Sequence, residues 1–169
     1  EIETTNEVVS FTDISENNAT YSQDFDNATC TKSNASIVAD STTAPDGTTT
    51  ADTLVAAATT NTHAVYDIHT LSTLVTFSVY AKANGYDFLG LFYATHGTRL
   101  ASFNLATGTI GTVHGAYTAN LSDEGDGWYR CSITTSTSIG TNNYAIIYTM
   151  ESDDTNNFAG DGSSGCFLW

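Results

Sequence analysis

Cationic side chains are scarce in this chain: Lys32, Lys82, Arg99 and Arg130 stand against nineteen Asp and Glu, for a net charge of −15. Two of the four, Lys82 and Arg130, fall in segments whose residues alternate in polarity, each on the polar side of its alternation and, for Lys82, with Tyr80 on that same side. Sugar recognition uses such groups, because aromatic rings meet the C–H face of a pyranose while ammonium and guanidinium donors bond its hydroxyls. Tyr80, Lys82 and Arg130 therefore head the candidate carbohydrate-binding set. Tyr93, His96 and Arg99 bracket the His96-Gly97-Thr98 turn and extend it, as do His63 and His69. The competing expectation is an ion pair to a nearby Asp for the two cations, and packing or solvation for the others.

The residue types needed for catalysis do not fall into a working pattern. The sequence holds no GxSxG elbow, no HExxH and no phosphate-cradling GxxxxGK[ST]. His63 and His69 share a strand face, but about 20 Å of extended chain separates them, too far for one metal ion. The acidic pairs Asp123-Glu124 and Asp153-Asp154 lie in Gly- and Asn-rich stretches and read as solvated loop tips rather than as a rigidly spaced glycosidase pair. Cys30, Cys131 and Cys166 lack zinc spacing. Cys30 and Cys166, near the two ends, are the expected partners if one disulfide forms, with Cys131 a buried strand thiol. Calcium is the natural use of acidic loops in a secreted sandwich, and Asp24, Asp26 and Asp46 are the candidate ligands.

The elements that must position these groups are strands. Helix-period stripes are absent, there is one Pro, and short runs rich in aromatic and β-branched residues recur at 51–57, 63–70, 74–83, 87–95, 100–105, 128–134, 142–150 and 165–169. Pro45-Asp46-Gly47-Thr48 is a turn in which Pro sets φ, Asp bonds the following backbone and Gly takes positive φ. In 74–82, Val75, Phe77, Val79 and Ala81 face a core and Thr76, Ser78, Tyr80 and Lys82 face away. In 128–134, Tyr129, Cys131 and Ile133 face inward, with Trp128, Arg130, Ser132 and Thr134 opposite. The fold class is all-β, a two-sheet antiparallel β-sandwich formed by one domain over 21–169, with 1–20 a linker or N-terminal extension. The acidic balance excludes nucleic acid and anionic membrane as partners.

The blocks Tyr21-Ser22-Gln23-Asp24-Phe25-Asp26, Ala44-Pro45-Asp46-Gly47-Thr48, Phe77-Ser78-Val79-Tyr80-Ala81-Lys82-Ala83 and Gly127-Trp128-Tyr129-Arg130-Cys131-Ser132 occur in the order of a known module. Over 21–169 the chain resembles a sandwich found in phage virion and tail proteins and in secreted bacterial polysaccharide-degrading enzymes, and is similar to the jelly-roll carbohydrate-binding modules. The resemblance implies a jelly roll, a structural calcium near Asp26 and the Asp46-Gly47 turn, and a glycan face on the strands of Tyr80, Lys82 and Arg130. Cys30 departs from it, standing where the module usually has Trp. Asp67-Ile68-His69 and Tyr80-Ala81-Lys82-Ala83-Asn84-Gly85-Tyr86 also resemble the QIH and YFKAGxYNQ motifs of jelly-roll alginate lyases. Asp67 replaces the Gln, however, Asn84 interrupts the second motif, and no RxEL-type motif occurs.

The expectation is thus a secreted or extracellular, monomeric, non-catalytic module that holds an attached catalytic domain on a polysaccharide, a marine algal one in particular. The alternatives are a phage tail or cell-surface adhesin domain, and a small polysaccharide lyase or hydrolase.

Overall fold

The runs of alternating and β-branched residues become strands because only a pleated chain sends successive side chains to opposite faces and lets one face bury its apolar set. A computed structural model of the chain describes residues 17–70, 75–94, 100–115, 117–135 and 142–169. Every ladder is antiparallel. One sheet runs β1 (Thr31–Ser33), β4 (Thr60–His69), β11 (Asn143–Met150), β6 (Phe88–Ala94), β7 (Ala101–Asn104) and β8 (Thr109–Val113), with β12 (Asn157–Ala159) also paired to β4. The other runs β2 (Ala35–Thr42), β3 (Ala51–Ala56), β13 (Gly165–Leu168), β5 (Thr76–Asn84), β10 (Trp128–Thr135) and β9 (Tyr117–Gly125). The two sheets pack face to face as a sandwich.

Between them lies a single core. The six-stranded sheet sends in Leu54, Val79, Cys131, Ile133 and Leu168, and the seven-stranded sheet sends in Val65, Leu89, Leu91, Phe103 and Ile147. Val75, Phe77, Val79 and Ala81 face this core as the alternation predicts, as do Tyr129, Cys131 and Ile133. The Pro45 turn has the expected mechanism: Gly47 N–H donates to the Ala44 carbonyl at 3.0 Å, Thr48 N–H donates to Asp46 Oδ1 at 2.9 Å, and Gly47 takes φ +86°.

Three expectations are corrected. Trp128 is on the outer side of β10 as predicted but is buried, because the 43–50 segment folds over it: its Nε1 donates to the Thr43 carbonyl at 3.2 Å, and Ala44 and Ala51 pack against it. The three cysteines are buried free thiols. Cys166 sits in mid-sheet with its Sγ 3.4 Å from Thr149 Oγ1, whereas Cys30 precedes the edge strand of the opposite sheet, so no disulfide joins them. Asp123 and Glu124 belong to the end of the edge strand β9 rather than to a loop. The described residues hold no helix long and apolar enough to cross a membrane.

Candidate functional site

The pairing of β5 with β10 places Tyr80 directly opposite Arg130, and Ser78 opposite Ser132, on the outer face of the six-stranded sheet. β13 then extends the row, since Trp169 exchanges backbone hydrogen bonds with Tyr80, both 2.9 Å. The resulting row reads Trp169, Tyr80, Arg130, Ser122 across four strands. Lys82 lies one step along, on the same side as Tyr80, its methylenes passing Gly127.

Contacts within this row assign different tasks to its members. The Arg130 guanidinium lies 5.9 Å from the Tyr80 ring centroid, and its Nη2 donates to Ser78 Oγ at 3.2 Å. The other edge of Tyr80 meets the Trp169 ring at a centroid distance of 5.1 Å and 60°. Tyr80 is therefore a bed for the guanidinium, wedged between it and Trp169, and not a free stacking platform. Arg130 itself is exposed, and of its five N–H groups one is committed to Ser78. Neither Lys82 nor Arg130 forms an ion pair with a carboxylate among the described residues. The remaining cation described, Lys32, has its ammonium bonded to the carbonyls of Asp26 and Asn27 at 2.9 and 2.6 Å.

The other sugar candidates are not brought to this face. His63 is fully buried, its Nδ1 2.6 Å from the Asn34 carbonyl and its Nε2 3.2 Å from the Phe158 carbonyl, so it ties the turn before β2 to β12 and presents nothing to a ligand. Tyr93 is buried in the core with a hydroxyl that has no hydrogen-bond partner among the described residues, and burial pushes that phenol above its ordinary range. His69 is partly buried, stacks on Tyr93 with ring centroids 6.5 Å apart, and lies 3.9 Å from Asp67. These three leave the binding set because their side chains follow the inward parity of β4 and β6. His96 and Arg99 lie outside the described residues.

The acidic candidates separate into two places. Asp24 and Asp26 lie together beside a hollow of about 470 Å³ that Asp40 and Asp52 also line. The mutual influence of these two neighbouring carboxyls holds Asp24 below and Asp26 above the usual carboxylate range, and Asp24 Oδ2 also accepts from Asn27 Nδ2 at 3.1 Å. Asp52 is buried, its Oδ2 accepting from Phe25 N–H and its Oδ1 from Asp40 N–H, both at 3.0 Å. Burial raises its pKa, outweighing those two donors. Asp46 is elsewhere, its carboxylate spent on Thr48 within its own turn, which lowers its pKa. Among the described residues no three His, Cys, Asp or Glu side chains form a group that could hold a metal ion by themselves.

Ser78, Trp169, Asp40 and Asp52 were not legible as site members. Ser78 and Trp169 enter through strand pairing, and Asp40 through a left-handed residue, φ +49°, at an irregularity in the β2–β3 ladder. No protein-family model matches the chain, and no curated protein matches its sequence.

Proposed function

We propose that the protein is a non-catalytic carbohydrate-binding module that grips a polysaccharide on the outer face of its six-stranded sheet. The observation that carries this reading is the Arg130–Lys82 surface: in a chain of net charge −15, two of only four cations sit near one another, next to aromatic rings, without a carboxylate partner among the described residues. Exposed or half-buried cations left without a carboxylate beside rings match a ligand that brings its own acceptors, namely hydroxyls together with a carboxylate or sulfate. The negative field of the whole molecule is screened beyond about 10 Å at moderate salt, so a local pair of cations can still hold one acidic sugar. Arg130 supplies forked donors, Tyr80 and Ser78 position it, and Lys82 adds a point charge. Such a module would be exported with the enzyme it serves and would keep that enzyme on its substrate.

A structural calcium is part of this reading. It would sit at the Asp24–Asp26 pair and would draw its remaining oxygens from backbone carbonyls and water.

Affinity electrophoresis through gels containing alginate or carrageenan tests the site. The native chain should be retarded, Arg130→Ala should run free, and the melting temperature of that exposed-site variant should stay within a few degrees of the parent. Retardation that survives Arg130→Ala would sink this site. Tyr80→Ala should lose retardation too, but with a lower melting temperature, since its ring packs on Trp169.

A further inference from the structure

The outer face of the seven-stranded sheet has a different chemistry. Register places Tyr66 of β4 beside Ile146 of β11 and Ile146 beside Phe92 of β6; one step along, Ile68 pairs with Tyr144, and one step the other way Ala64 pairs with Tyr148. The rings of Tyr66 and Tyr144 meet edge to face at 5.6 Å and 65°. Ile68 is 49% exposed, and Tyr66, Phe92, Tyr144, Ile146 and Tyr148 are half-buried. From β1 through β4 and β11 to β6, no outward position of the described strands carries a charged side chain.

Among the described residues this face is closed on one side and open on the other. Toward β7, a side chain at Gly90 would collide with Met150 and Leu100, which fill the space above it. Beyond them Asp153 straps the sheet, taking hydrogen bonds from Ser102 and from Thr112, whose N–H and hydroxyl donate at 2.8 and 2.9 Å. Asp153 and its neighbour Asp154 put carboxylates along this border, that of Asp154 lying 2.8 Å from His114 Nε2. Toward β1 the face ends on Thr31 and Ser33, without charge.

We infer that this tyrosine face is a second ligand surface, and that its ligand is a neutral, unsulfated glycan chain. The inference rests on the sugar-binding reading above, but it concerns the opposite sheet and the opposite ligand chemistry. Among the described residues, a polyanion would meet no Lys or Arg on the face, and at its border it would meet carboxylates, one of them paired with His114. A second copy of the chain would bring another net charge of −15 against the first. Neutral sugar rings have neither difficulty: their C–H faces suit half-buried rings, and their hydroxyls suit phenol O–H groups. Burial raises the pKa of Tyr148, so its hydroxyl remains a neutral donor. The rings also repeat on a lattice. Tyr66 and Phe92 lie two strands apart, about 10 Å, and Tyr144 and Tyr148 lie four residues apart on one strand, about 13 Å. A chain of repeating rings can engage such positions together.

The test is affinity electrophoresis of the full chain in gels of glucomannan, mixed-linkage β-glucan, xylan or agarose, run beside the alginate and carrageenan gels. At least one neutral polymer should retard the native chain, with little change between low and high salt. Tyr144→Ala should weaken that retardation about tenfold, the loss of one stacked ring, while Tyr144→Phe retains most of it and Arg130→Ala changes nothing. Ile68→Glu, on an exposed side chain, should abolish it with an unchanged melting temperature, so the result does not depend on how well Tyr144→Ala folds. Passage through every neutral gel without retardation, while the anionic gels still retard, would overturn this inference and leave the Arg130 site standing. Neutral retardation lost with Arg130→Ala would also overturn it, because one site would then serve both. A native dimer that Ile68→Glu splits would overturn it in favour of self-contact. Free passage through all gels would bring down the sugar reading itself.

Discussion

Replacing Asp52 by alanine should remove a carboxylate that holds two chain segments at once. Its Oδ2 accepts from Phe25 N–H and its Oδ1 from Asp40 N–H, both at 3.0 Å, with the side chain buried. Hydrogen bonds to a charged group are worth about 1.5–3 kcal/mol each, and an orphaned buried N–H costs about 1–3 kcal/mol. The same burial also penalises the ion, so part of that gain is already spent, and the net loss on Asp52→Ala should be about 2–4 kcal/mol. Asp52→Asn keeps one acceptor and sheds the desolvation of the ion, so it should cost about 1 kcal/mol or less. The pH dependence separates the two effects. Burial raises the folded pKa of Asp52, so its contribution is fully present below the ordinary aspartate value near 4 and is lost as pH rises through the raised value. The stability advantage of the native chain over Asp52→Asn should therefore shrink on going from acid toward neutral pH. Urea denaturation of the three proteins at several pH values, in chelator and then in millimolar calcium, measures this. Asp40 and Asp24 also raise this pKa, so a calcium ion at the Asp24–Asp26 pair should offset their charge and flatten the pH dependence. An alanine variant within about 0.5 kcal/mol of the native chain would refute the clamp, as would an asparagine variant as damaged as alanine.

Trp128→Ala should cost about 3–5 kcal/mol, since the ring is buried under the 43–50 segment, and Trp128→Phe should cost far less, measured by denaturant melts. Asp153→Ala should cost about 1 kcal/mol near neutrality. Because the Ser102 hydroxyl, together with Thr112, holds the Asp153 pKa below its ordinary value, that loss should disappear as the pH falls through the depressed folded value, which acid titrations of the two proteins compare. Iodoacetamide should label none of the three thiols in the native chain and all three in denaturant, since burial raises every one, Cys166 to about 12. Rapid native labelling of Cys166 would contradict the core packing.

The parts of the fold that were legible are those where one strand carries its own answer. In β5 an apolar set alternates with a polar one, and in β10 Cys131 and Ile133 alternate with Arg130 and Ser132, so period alone assigns the faces. The Pro45 turn was legible for the same reason, its chemistry being local. Trp128 defeated that reading because its burial depends on a segment some 85 residues away in sequence, which no periodicity records. Tyr93 and His63 defeated it differently. β6 is apolar on both faces, as is most of β11, and in β4 the polar His63, Asp67 and His69 share a face with Val65, so alternation cannot say which set turns inward. Tyr93 and Phe92 are interchangeable by sequence; only the register of β6 on β11 separates the core residue from the surface one.

That ambiguity carries information of its own. A strand that is apolar on both faces is ordinarily covered on both, and β11 and β6 lie side by side in the middle of their sheet. The six-stranded sheet meets the same demand from within: its outer Trp128, Phe167 and Trp169 are packed with Ala44 and Ala51, and the 43–50 segment closes over Trp128 while Thr50 binds the Trp169 ring nitrogen at 3.2 Å. Among the described residues, no segment does this for Tyr66, Ile68 and Tyr144. Burial of apolar surface is favourable by about 25 cal/mol per Å², so a face of aromatic rings left half open forgoes stability that a few polar substitutions would make unnecessary to seek. The contrast between one sheet that covers its rings with its own chain and another whose rings stay half-buried, with no covering segment among the described residues, is the physical ground for treating the second as a surface that meets a ligand.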